Sequence, residues 1–109
     1  MNTQNTTPTI DPRQVLLERI KTLIPKEKKN AVTLGTLCSL TGLKARVVKD
    51  LITELRLEHP IVAKETDGGG YWFAESEQDI TDFISMIKRR RDGYECTISI
   101  MQNHKAPIL

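Results

Sequence analysis

Cysteine, histidine and aromatic residues are scarce in this chain: its 109 residues include two Cys, two His, two Tyr, two Phe and one Trp. Cys38 and Cys96 stand far apart, and neither has a neighbour at metal-ligand spacing. With no secretion signal, two free thiols in a reducing compartment are the simpler reading, and a Cys38–Cys96 disulfide is the other. The opening MNTQNTTPTI has neither the basic start nor the apolar run of a signal peptide. No stretch reaches the apolar length that crosses a bilayer. These absences point to the cytoplasm.

The inventory for catalysis is equally short. His59 precedes a proline at the end of a helical segment and His104 stands in the tail, so both are expected to face solvent. Cys38 falls on an apolar stripe, where it behaves as a small hydrophobe, and Cys96 has no base near it. Gly68-Gly69-Gly70 neither opens a helix nor precedes a Lys-Ser/Thr pair, which excludes a phosphate loop. The expectation is a protein with no enzymatic activity, cofactor, metal or small-molecule substrate.

A large excess of one charge is missing too. The formal net charge is +2, so a polycationic coat is excluded, and any acidic partner must be met by local patches. Residues 11–30 and 44–57 are basic on balance. Residues 60–82 reverse the sign, with Lys64 alone against Glu65, Asp67, Glu75, Glu77, Asp79 and Asp82. Lys88, Arg89, Arg90 and Arg91 then restore a positive cluster, suited either to phosphates or to solubilising a helix whose other face is covered.

The remaining pattern is that of a small mainly α domain. Residues 1–10 are polar and read as a disordered arm. Asp11 as cap with Pro12 at the first helical position opens a helix over 12–24, with Val15, Leu16, Ile20, Leu23 and Ile24 at helical spacing, and Pro25 stops it. Thr33 caps a short helix with Leu34, Leu37, Cys38 and Leu40 on one stripe, ended by Gly42. A third helix is expected over 44–57, with Val47, Val48, Leu51, Ile52 and Leu55 inward. Ile61-Val62-Ala63 and Tyr71-Trp72-Phe73 read as a hairpin with a mobile glycine-rich tip. Which face of the second strand turns inward stays open. Ser76 and Asp79 open a last helix, read as one long piece over 77–103 because the apolar register is the same on both sides of Asp92-Gly93, with a break there as the alternative.

The stretch Thr33-Leu34-Gly35-Thr36-Leu37-Cys38-Ser39-Leu40-Thr41-Gly42-Leu43-Lys44-Ala45-Arg46-Val47-Val48-Lys49 resembles the helix-turn-helix of winged-helix DNA-binding regulators. The run from Leu55-Arg56 through Pro60-Ile61 to Gly70-Tyr71 resembles the wing of small proteins from Gram-positive phages and mobile elements. The resemblance covers residues 11–75, and the last helix is similar only in being long and basic. It implies a winged helix-turn-helix domain over 11–75, followed by a C-terminal helix over 76–105 and a tail over 106–109. It also implies a transcriptional regulator or replication accessory that binds double-stranded DNA with residues 44–57.

On that reading Lys44, Arg46 and Lys49 reach bases and phosphates, Ala45 offers a methyl, Asp50 an acceptor and Thr53 a hydroxyl. Arg56 serves either DNA or the helix end, and Lys64 is the one cation of an otherwise acidic wing. Ile80, Ile87, Tyr94 and Met101 recur every seven residues, with Ile84 and Ile98 beside them. A core this small is expected to cover the first half of that stripe, leaving Ile87, Tyr94, Ile98 and Met101 to dimerise with a second copy. The competing reading is a protein-interaction module on the same scaffold, with no direct DNA contact.

Overall fold

The computed structural model describes residues 10–64 and 69–108, the last three of them by backbone alone. The arm over 1–9 and the wing carboxylates Glu65 and Asp67 lie outside the described residues. Four helices, α1 (Pro12–Leu23), α2 (Leu34–Thr41), α3 (Ala45–Leu55) and α4 (Glu77–Ile108), are joined by a hairpin of β1 (Ile61–Ala63) and β2 (Tyr71–Phe73), and a 3-10 turn occupies Lys28–Asn30. The chain is thus mainly helical, with one small antiparallel hairpin and a long C-terminal helix. It divides after Glu75 into two units.

In the first unit the helix ends follow from local chemistry. The Asp11 carboxylate accepts the Arg13 amide at 2.9 Å with Pro12 behind it, and the Thr33 hydroxyl accepts the Thr36 amide at 3.1 Å. Gly42, at φ +75°, takes the left-handed position that closes α2, its amide donating to the Cys38 carbonyl at 2.8 Å. Leu43 and Lys44 then lead directly into α3. The third helix is shorter than expected, because the Leu57, Glu58 and His59 amides fold back onto the Glu54 and Leu55 carbonyls. Arg56 becomes its cap residue.

Packing sorts the apolar stripes further. Leu17, Ile20, Ile24, Leu37, Val48, Leu51, Ile52, Leu55 and Ile61 form one buried cluster, in which α1, α2 and α3 touch pairwise. Val15, Leu40 and Val47, expected on inward faces, are exposed instead. Leu40 and Val47 lie at the margins of their helices' apolar arcs, whereas Val15 falls about 140° around α1 from Ile20, on its outer side.

The hairpin pairs Ile61 with Phe73, Val62 with Trp72 and Ala63 with Tyr71. Tyr71 and Phe73 pack half-buried against the cluster, while Trp72 is buried on the other face, with the Lys28 ammonium 5.6 Å over its ring. His59, expected in solvent, is half-buried with its ring edge-on to Phe73 at 6.0 Å. A further rung, on the outer side of β2, was not foreseen: the Tyr71 amide donates to the Val32 carbonyl at 2.7 Å and the Val32 amide returns the bond at 3.1 Å. Gly70 makes that rung fit. It is buried at φ +141°, and a Cβ there would lie 2.9 Å from the Ala31 Cβ.

The second unit is α4 itself. Its first turn is capped by the Ser76 hydroxyl, which accepts the Asp79 amide at 3.3 Å. The helix runs through Asp92-Gly93 without a break and continues to Ile108, beyond the limit near 103–105 read from the sequence. Its 32 residues span about 48 Å. A Cβ on Gly93 would meet nothing.

Two glycines therefore respond oppositely to alanine. Gly70→Ala is expected to destabilise by on the order of 2 kcal/mol, since it adds a clash to an unfavourable φ. Gly93→Ala is expected to raise helicity and stabilise by about 1 kcal/mol. Urea denaturation followed by circular dichroism reads both, and equal signs contradict this placement of either residue.

Candidate nucleic-acid interface

The candidate site is built on the division of α3 into two faces. At about 100° per residue, Val48, Leu51, Ile52 and Leu55 fall on one arc and Arg46, Lys49, Asp50 and Thr53 on the opposite one. The first four are buried and the second four exposed. Burying one stripe on α1 and α2 fixes the helix rotation, so the polar stripe is presented by the same contacts that form the core. Lys44 and Ala45 are exposed at the start of α3.

The cations of this unit fall into two groups. Arg13 grips Glu54, with Nε at 2.7 Å and Nη2 at 2.6 Å from the same carboxylate oxygen. Arg19 donates to the Leu40 carbonyl at 2.9 Å, satisfying an orphan acceptor at the end of α2. Arg56 donates from Nε to the Ile61 carbonyl at 2.8 Å. Burial pulls its guanidinium below the ordinary value, with the Tyr71 phenol acting in the opposite direction. Lys44, Arg46 and Lys49, by contrast, make no ion pair or side-chain hydrogen bond among the described residues.

The start of α3 differs from the other two helix starts in this unit. Lys44 occupies the cap position and makes no side-chain cap bond, whereas Asp11 and Thr33 cap α1 and α2. The first amides of α3 therefore stay open beside a cation, where the helix dipole favours negative charge. Asp50 is exposed one turn beyond Arg46 and makes no ion pair with it. The Thr53 hydroxyl donates back to the Lys49 carbonyl at 2.9 Å, leaving its oxygen chiefly as an acceptor. Val47, 36% exposed, adds an apolar group at the margin of the same face.

Not every residue expected at the site is gathered there. Lys44, Ala45, Arg46, Lys49, Asp50 and Thr53 share α3, but Arg56 is half-buried against the outer edge of β1. There it occupies a carbonyl that the two-stranded hairpin leaves unpaired. Nothing local in the sequence announces this, since the partner is a backbone atom of the next element. Lys64 belongs to another surface, a shallow cleft it lines with Glu27, Lys28, Lys29 and Glu75. On α4, Ile87, Tyr94, Ile98 and Met101 are all exposed. So are Ile80 and Ile84, at 36% and 46%, although the core was expected to cover that half of the stripe.

No family model, curated protein or solved structure matches this chain. Among the described residues no group of His, Cys, Asp and Glu is placed to hold a metal ion, and no helix is long and apolar enough to cross a membrane.

The two groups of cations are separable by stability alone. Arg56→Ala is expected to cost about 1–3 kcal/mol, because it strips a half-buried carbonyl of its donor. Lys44→Ala, Arg46→Ala and Lys49→Ala are each expected to stay within about 0.5 kcal/mol of the parent. Urea midpoints at constant m-value measure this, and an Arg46→Ala loss as large as that of Arg56→Ala contradicts the division.

Proposed function

We propose that the chain is a winged helix-turn-helix DNA-binding protein, with α3 as the helix that enters the major groove. The observation that carries this is the state of the arginines among residues 10–64. Arg13, Arg19 and Arg56 are each held by a carboxylate or carbonyl, and Arg46 alone is free, on the solvent face between Lys44 and Lys49. Three long cations with one carboxylate, Asp50, among them leave that face with an unpaired positive excess, which phosphate relieves.

The geometry supports a groove mode. A helix fits the roughly 12 Å width of the major groove, and helix-turn-helix docking leads with the N-terminal residues. Here those are Lys44, Ala45 and Arg46, followed one turn later by Lys49 and Asp50. Arg46 suits the two acceptors of a guanine edge, Asp50 a cytosine amine and Lys44 a phosphate. The short Thr41–Lys44 connection and the hairpin after α3 agree with the resemblance to regulators and replication accessories of phages and mobile elements.

The wing contributes little on this reading. Lys64 shares its cleft with Glu27 and Glu75, which offset two of the three lysines there. The exposed apolar stripe of α4 favours a second reading, in which the same scaffold serves protein contacts alone.

Salt separates the two. Fluorescence anisotropy with a mixed-sequence duplex of about 30 base pairs should show log K falling steeply between about 50 and 200 mM salt. Replacing Lys44, Arg46 and Lys49 together with Ala should reduce that slope by up to about three phosphate contacts' worth. On a site selected from genomic fragments, Arg46→Ala alone should cost about 1–3 kcal/mol. A folded triple variant that binds as tightly as the parent overturns the assignment, and absence of binding by the parent at low salt favours the protein-contact reading.

A further inference from the structure

The exposed face of α4 carries two interleaved rows at seven-residue spacing. Ile80, Ile87, Tyr94 and Met101 form one, and Ile84, Arg91, Ile98 and Lys105 follow four residues behind. All eight are exposed. The alternating spacing of three and four residues is that of a coiled-coil seam. From Ile80 to Met101 it spans about 32 Å, and so many large apolar side chains on one helix face mark a contact surface.

The two cations in the second row decide orientation. Two parallel copies in register set like against like, so Arg91 meets Arg91 and Lys105 meets Lys105 across an apolar seam. Desolvating like charges side by side is strongly unfavourable. Reversing one copy sets each row against the other. Ile84 then faces Met101, Ile87 faces Ile98, and Arg91 lies against a tyrosine ring, where cation and π face attract.

The flanks agree with the reversed arrangement. It places Lys88 alongside Glu95 of the second copy, twice by symmetry. Neither side chain, nor that of Tyr94, has an ion pair, hydrogen bond or ring contact among the described residues. Among the described residues Arg91 pairs with its neighbour Asp92, at 3.2 Å, and its side chain stays 58% exposed. Gly93 falls on the outer side of such a pair and is not part of the seam.

We propose that α4 pairs with α4 of a second copy of this chain as an antiparallel coiled coil centred on Asp92-Gly93, with Arg91 of each copy packed on Tyr94 of the other. This does not depend on DNA contact by α3, and its test uses no DNA. Light scattering of the full chain at tens of micromolar should give twice the 12.4 kDa chain mass. Ile98→Glu should weaken the dimer at least tenfold while leaving the far-ultraviolet dichroism of a folded protein. Ile87→Glu, which strikes the residue facing it, should do the same. Orientation is read by oxidation in a Cys96→Ser background. A mixture of Ile87→Cys and Ile98→Cys chains should cross-link to each other, and neither should cross-link efficiently with itself. A monomeric full chain, a dimer untouched by Ile98→Glu, or ready self-cross-linking of Ile87→Cys each overturns the proposal.

Discussion

Val48, Leu51, Ile52 and Leu55 leave water on the inner side of α3, and burial of side chains this size contributes roughly 1.5–3 kcal/mol apiece. Those contacts with α1 and α2 do more than stabilise. A helix of eleven residues has little stability alone, so its existence and its rotation are set by the same packing. Arg46, Lys49, Asp50 and Thr53 are aimed outward because the opposite stripe has nowhere else to go. The core and the proposed interface are two faces of one object.

Elsewhere the unit engages its arginines internally. Arg19 closes the end of α2, Arg56 blunts the outer edge of β1, and Arg13 ties α1 to α3 through Glu54. An unpaired sheet edge invites other strands, and a charged side chain laid along it discourages them. The polar surface therefore has distinct tasks, and sequence position alone does not separate them. Arg46 and Arg56 sit ten residues apart on one amphipathic segment, yet only one is free.

Local rules made most of the helical framework legible. Asp11-Pro12, Thr33, Gly42 and Ser76 marked ends because their chemistry acts within three residues. The 3.6-residue period located the buried side of α3 except at Val47, where the margin of an arc cannot be told from its centre without the neighbouring helices. What stayed hidden depends on partners distant in sequence. The Val32–Tyr71 rung has no strand around Val32 to announce it, and Gly70 read as loop freedom when it is a close approach to Ala31. His59 looked solvent-facing because Phe73 is remote in sequence. At Asp92-Gly93, by contrast, the apolar register shared by both sides already favoured one helix, and one glycine costs about 1 kcal/mol against the many hydrogen bonds of a 32-residue helix.

The Val32–Tyr71 rung also bears on the order in which the chain assembles. Its two residues are roughly 40 positions apart, and the loop they close contains α2, α3 and β1. Closing such a loop in a flexible chain costs about 3 kcal/mol of entropy, which the roughly 1–3 kcal/mol returned by two backbone hydrogen bonds at best balances. The rung becomes favourable only after the helices have shortened the path between its ends. Contacts of low sequence separation thus come first and the Val32 rung last, so that rung reports on a completed helical core and cannot template it.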